Sequence, residues 1–372
     1  MSHAPEPSED DVASIPPPPP VFHAEQALLG ALLREPHRLD DVSGIAADSF
    51  STSAHAALFT AISTLPRPDP AEHRRTTRWL NRVLSTAQGL TRGLTAIHLH
   101  TLVQACLWPS HAPAYARMVE AEHARRRLQS AAEGLVHTVH DTSLPHVVEK
   151  VLAEADTLTA VVADIGQRFP TRTGVRPRTA APPPSAVPNL AEAVEEEQLL
   201  LATATARPAD IGSVRWLLPD DLILPLHAGL WECLIALARR KEPVDPVTVL
   251  WEAQQRGLLD SGSRPADILH VLAEPEGSVE HWADRALERS LLATAEHTGQ
   301  RIQAYAHDCA NTPGQLVVGS RRALGDFSAV RARWQRATGA APPPRQRPAP
   351  TTRAGPPTTT AAHAARSARA TR

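Results

Sequence analysis

The chain has 372 residues, a formal net charge of −2, 42% hydrophobic and 4% aromatic content, and three cysteines. That length suits two or three domains, the near-neutral balance selects no class of partner, and widely separated thiols without a CxxC pair exclude a disulfide scaffold. No run of 18 apolar residues is present, and the acidic, proline-rich start does not read as a secretory signal, so the chain is expected to be cytoplasmic.

Residues 1–21 carry Glu6, Glu9, Asp10 and Asp11 and end in a proline run, which reads as an extended, disordered segment. Leu28, Leu29, Leu32 and Leu33 form an apolar stripe at helical spacing that stops before Pro36. Ser53 is placed to cap a second helix with Leu58, Phe59, Ile62 and Leu65 on its inner face, ended by Pro66. A long helix is expected from Pro113 to about Asp141, with Tyr115, Met118, Val119, Leu128, Ala132, Leu135, Val136 and Val139 facing inward. Another follows Pro145, carrying Val148, Val151, Leu152, Ala155, Leu158, Val162 and Ile165. Residues 170–191 are rich in proline and read as a linker.

The chain then repeats itself. Glu25-Gln26 recurs as Glu197-Gln198, Pro36 as Pro208, Asp48 as Asp220 and His55 as His227. Leu58, Phe59, Ile62 and Leu65 map without a gap onto Leu230, Trp231, Leu234 and Leu237. Tyr115-Ala116 matches Trp282-Ala283 and His140-Asp141 matches His307-Asp308, both shifted by 167 positions. A single long period means duplicated domains, because solenoid units are roughly 20–50 residues long. Asp245, followed by Pro246, caps a helix with Val249, Leu250 and Trp251, and Trp282 opens the second long helix. No alternating run of β-branched residues competes with these readings. The expected fold is all-α: helical domains over 22–169 and 192–338, each with a helical hairpin, flanked by the acidic segment and by a disordered basic tail over 339–372.

Each hairpin leaves an apolar face that either the first helices of its own domain or the other copy must cover. The interface positions expected for pairing are Tyr115, Met118, Val119, Leu128, Leu135 and Trp282. Beyond Asp326 there is no acid, while Arg331, Arg333, Arg336, Arg345, Arg347 and Arg353 follow, a pattern suited to weak, non-specific DNA or RNA contact. The Arg125-Arg126-Arg127 run reads as a solvated helix edge. None of the eighteen histidines has the tightly spaced companions of a metal site. His55 and His227 share a structural role, and Cys106 reads as core. No cofactor is expected.

The segment from His23 through Glu25-Gln26 to Leu33 resembles the opening of the N-terminal domain of bacterial replicative DNA helicases of the DnaB type. Asp48-Ser49-Phe50, Trp108-Pro109-Ser110, Tyr115 to Val119 and Arg126-Arg127-Leu128 follow in the same order. In the second copy Pro243 to Val249 and Gly257-Leu258-Leu259 resemble the family's central segment, where the first copy instead has Arg74, Arg75, Arg78 and Arg82. The resemblance implies a domain that pairs through its hairpin, builds a collar of dimers and offers a surface to primase. It does not extend to the helicase motor, which needs a glycine-rich loop with a phosphate-binding lysine. The lysines of these 372 residues are Lys150 and Lys241, and neither lies in such a loop. The expectation is a non-enzymatic interaction module acting with primase, the helicase or its loader, paired within the chain as a pseudo-dimer or in a higher homo-oligomer. The alternatives are an Arg-tailed nucleic-acid-binding accessory and a helicase subunit that borrows an ATPase in trans.

Overall fold

The computed structural model describes residues 17–339, apart from 43, 142, 144, 171–174, 187, 262–263 and the side chains of 260 and 261. The acidic start and the positions of Arg345, Arg347 and Arg353 lie outside the described residues. Among those described, every regular element is helical.

The first copy opens with α1 (Pro20–Arg34), α2 (Ser53–Thr64), α3 (Pro70–Arg75), α4 (Arg78–Leu90) and α5 (Ala96–Ala105). Leu28, Leu29, Leu32 and Leu33 of α1 are fully buried, as their spacing requires. Gly30 lets α1 approach α5: a Cβ there would clash with the Leu102 carbonyl and lie 2.8 Å from the Cys106 Cβ. The cap of α2 is Thr52, whose Oγ1 accepts from the His55 amide at 3.2 Å, one residue before the expected Ser53. On α4, Trp79, Val83 and Ala87 repeat every four residues and pack onto α2.

The hairpin follows as α6 (Ala112–His140) and α7 (Val147–Arg168). With 29 residues, α6 extends roughly 43 Å. It serves two cores. Ala112, Ala116 and Val119 close the core of α1–α5, whereas Ala124, Leu128, Ala132 and Leu135 belong to a second core shared with the other copy. The expected stripe of α7 is buried there too, from Val148 through Ile165, apart from Leu152, which is half-buried against it.

The second copy comprises α8 (Leu190–Ala206), α9 (Pro225–Arg240), α10 (Pro246–Gln255), α11 (Pro265–Val271), α12 (Val279–His307) and α13 (Pro313–Ala337). Asp245 caps α10 as expected, accepting from the Val247 and Thr248 amides at 2.8 and 3.0 Å. The α12–α13 hairpin packs on the α6–α7 hairpin, with α6 and α12 running antiparallel. Their direction follows from the contacts: Arg125 reaches Ala306 and Asp308, Ala132 meets Gly299, and His140 meets Glu296. Both hairpins thus bury their apolar faces against each other.

The joining segment is attached rather than free over much of its length. The Arg178 amide donates to Asn311 Oδ1 at 2.8 Å, Thr179 Oγ1 to Asp308 Oδ2 at 2.6 Å, and Gln315 Nε2 to the Arg176 carbonyl at 2.9 Å. Further along, Ser185 Oγ accepts from Gln300 Nε2 at 2.7 Å. Four polar anchors lay it along α12 and the start of α13.

Candidate protein-interaction surfaces

Each copy buries one polar cluster at an equivalent place. Glu25 is fully enclosed, and its Oε2 lies 2.7 Å from His55 Nδ1 while Oε1 accepts from the Ser51 amide at 2.7 Å. In the second copy, Glu197 Oε2 lies 2.8 Å from His227 Nδ1 and Oε1 accepts from the Ile223 amide at 2.7 Å. A buried carboxylate needs such partners, because leaving it unpaired costs several kcal/mol or more. The pair ties α1 to the start of α2 and α8 to the start of α9, so its role is structural. The sequence repeats both residues without stating that they pair. The available signal was their constant separation of 30 positions in both copies.

Arg125 is a docking residue between the copies. Its guanidinium donates to the carbonyls of Ala306, Asp308, Cys309 and Asn311, with distances of 2.9, 2.8, 3.3 and 2.7 Å. Ala306 lies in the last turn of α12 and the other three carbonyls follow in the turn before α13, so the cation also complements the helix dipole. Arg126 donates to the Ser49 carbonyl at 2.8 Å and Arg127 to Asp164 at 2.5 Å. The expected solvated edge is therefore a set of bonded arginines, because α6 is covered along this stretch by three different elements.

The expected interface positions divide. Leu128 and Leu135 lie in the core shared by the two hairpins. Val119 is fully buried, but inside the first copy's own core, and Tyr115 packs against that same core. Met118 is 55% exposed. Trp282 packs on the second copy and donates Nε1 to the Glu276 carbonyl at 2.6 Å. The two copies consequently meet over the middle and end of α6. The antiparallel crossing centres there, leaving the start of α6 beside α1 and that of α12 beside α8.

The start of α6 carries an outward apolar face instead. Leu107, Trp108 and Met118 are all more than half exposed, and the Trp108 ring lies 6.1 Å from that of His111, which lies 6.2 Å from Tyr115. A second exposed pair, Val247 and Trp251, sits one turn apart on α10. Its flank is charged: the Arg240 guanidinium holds the Glu252 carboxyl below the usual range, at 2.6 Å. Exposed apolar side chains mark contact surfaces where they cluster, whereas single ones are ordinary.

The arginines expected to touch nucleic acid divide as well. Arg331 and Arg333 lie within α13, where Arg331 pairs with Asp156 of the first copy and Arg333 with the buried Asp221. Only Arg336 of those described is exposed without an acidic partner among the described residues. The helix continues past Asp326 because Phe327, Val330 and Arg333 keep facing the core at three-residue steps.

With this geometry in place, the comparison with protein families is decisive. The model of the DnaB-like helicase N-terminal domain matches residues 17–121 and again 189–286, together more than half of the chain. The chain belongs to the DnaB-like helicase N-terminal domain family. The two matches begin at α1 and α8 and end near the start of the long helices, so each covers one globular part of the duplication. No solved structure matches the chain. No helix among the described residues is long and apolar enough to cross a membrane.

Proposed function

We propose that this chain is a non-catalytic interaction module derived from the collar domain of the replicative helicase, working in the cytoplasm with primase, the helicase or its loader. The observation that carries the reading is the use of the pairing surface. In a domain of this family the hairpin is expected to join one subunit to another. Here Leu128, Ala132 and Leu135 of α6 are buried against the second copy of the same chain. A tethered partner is present at an effectively millimolar concentration, so pairing within the chain outcompetes pairing between chains. The outer faces then remain for other proteins, among them Trp108 and Met118 on one copy and Trp251 on the other.

Catalysis has no support in the residues. Phosphoryl transfer needs a glycine-rich cradle and a lysine on the phosphates, and neither Lys150 nor Lys241 follows a glycine. The test is affinity capture of the full chain from its native cytoplasm at moderate salt, with ATP turnover measured in parallel. Recovery of primase, helicase or loader, stable to added salt and without ATP hydrolysis by the purified chain, is expected. Recovery of nucleic acid alone, released as salt rises, would replace this reading with an Arg-tailed nucleic-acid accessory. ATP turnover that arises only on mixing with a second chain would indicate a subunit that borrows its motor.

A further inference from the structure

The second copy carries a groove beside α9. Between the turns of 208–219 and α9 lies a cavity of ≈ 730 Å³ whose lining mixes charged residues with apolar ones that include Ile211, Leu217, Leu218 and Ile235. Leu218 is 43% exposed at its edge. Three arginines line it. Arg256 is neutralised by Glu232 and Glu252, whereas Arg215 and Arg239 are exposed and make no ion pair among the described residues.

The duplication supplies an internal control. A shift of 172 positions places Arg239 at the register of Arg67, Gly212 at that of Asp40, Arg215 at that of Ser43 and Trp231 at that of Phe59. In the first copy Asp40 grips Arg67 with two hydrogen bonds of 2.5 Å. In the second copy the carboxylate is gone, and a Cβ built on Gly212 would meet nothing within 4 Å. Pro66 ends α2, but Ala238 stands at its register and α9 runs on to Arg240, carrying Arg239 on its last turn. Beneath the groove, the indole that replaces Phe59 has a buried N–H without an acceptor among the described residues. One copy has cancelled the cation, and the other has freed it, added a second and left apolar surface between them.

We propose that this groove docks an acidic amphipathic helix of a partner protein, its apolar side chains between the 208–219 turns and α9 and its carboxylates on Arg215 and Arg239. Helices seat in grooves through apolar anchors at i, i+3 or i+4, and i+7, with flanking charges that select the partner. The apolar part of the lining, with Leu218 at its edge and Ile235 on α9, favours a peptide over a phosphate backbone, which would bring no apolar anchors to cover it. This inference rests on the reading of the chain as an interaction module and names the chemistry of one partner.

The test uses the full chain and three labelled probes: a helical peptide with leucines at i, i+4 and i+7 flanked by glutamates, the same peptide with lysines for glutamates, and a single-stranded oligonucleotide. Fluorescence anisotropy is expected to show binding of the glutamate peptide that weakens with salt, and none of the lysine peptide. Gly212→Asp, which returns a carboxylate to the lining at the register of Asp40, and the double variant Arg215→Glu/Arg239→Glu should each weaken binding about tenfold. Unchanged far-ultraviolet circular dichroism would show that the variants remain folded. Indifference of the glutamate peptide to both variants, equal binding of the lysine peptide, or displacement of the glutamate peptide by the oligonucleotide would overturn the inference. Replication proteins captured equally by the wild type and by Gly212→Asp would sink the groove and leave the proposed function standing. Peptide binding as expected with no replication protein captured would do the reverse.

Discussion

Ala132 and Gly299 occupy the same position of the repeat, 167 residues apart, and they touch each other. A Cβ on Gly299 would lie 3.1 Å from the Ala132 carbonyl oxygen and 2.5 Å from Val136 Cγ2. Equivalent residues meet each other only on a two-fold axis, so this contact marks the pseudo-dyad of the duplicated chain. It also explains the glycine, since α6 and α12 could not cross at this distance with a larger residue on both sides.

Replacing Gly299 with leucine should therefore force the hairpins apart. Overpacking a tight contact costs about 1–3 kcal/mol, and the disruption falls on the core that the two copies share. The expected result is a lower midpoint of thermal unfolding and increased binding of a dye that reports apolar surface. A Gly299→Leu protein with the wild-type melting curve would show that the crossing is looser than described.

Arg125→Met tests the polar side of the same seam. The substitution keeps the stem and removes four hydrogen bonds to the last turn of α12 and the turn that follows it. Hydrogen bonds with a charged partner contribute about 1.5–3 kcal/mol, so a loss near 2 kcal/mol is expected, with faster amide exchange around 308–311. Arg117→Met, an exposed arginine on the same helix, should change neither measurement.

The linker's attachment should be sensitive to acid. The Thr179 hydroxyl first, and then the Ala310 amide, hold the Asp308 carboxyl below its ordinary value. A depressed carboxylate stabilises the fold above its unfolded pKa and loses that contribution as pH falls through the folded one. Amide exchange or limited proteolysis over 176–185 should thus show protection at neutral pH that declines once the pH drops below the usual aspartate range. Asp308→Ala should show weak protection at every pH. Protection that stayed constant into acid would argue against Asp308 as the anchor.

The three cysteines should differ sharply in reactivity. Burial pushes the Cys233 thiol up to about 11 and raises that of Cys106, while Cys309 is exposed. The thiolate is the reacting species, so a buried thiol with a raised pKa is inert. A thiol reagent at neutral pH should modify Cys309 in the native protein and the other two only on unfolding. Rapid modification of Cys233 would mean that the α9 core opens readily.

The sequence by itself determined the helical class, the duplication and the family. Those rest on local periodicity and on ordered motifs, which one chain states directly: the α1 leucines, the Asp245-Pro246 cap and the recurrence of Glu25 and His55 as Glu197 and His227. It determined less about partners in space. Val119 and Leu128 lie on one helix and look alike in periodicity, yet one closes its own copy and the other meets the second. Only the antiparallel crossing at Ala132 and Gly299 decided which. The arginines teach the same lesson, because charge is legible in sequence whereas neutralisation is not. Arg125, Arg331 and Arg333 found acceptors far along the chain, while Arg239 lost the acid that its sister Arg67 retains. Whether a cation binds a partner or a neighbour depends on distances of a few ångströms, and those are set by packing.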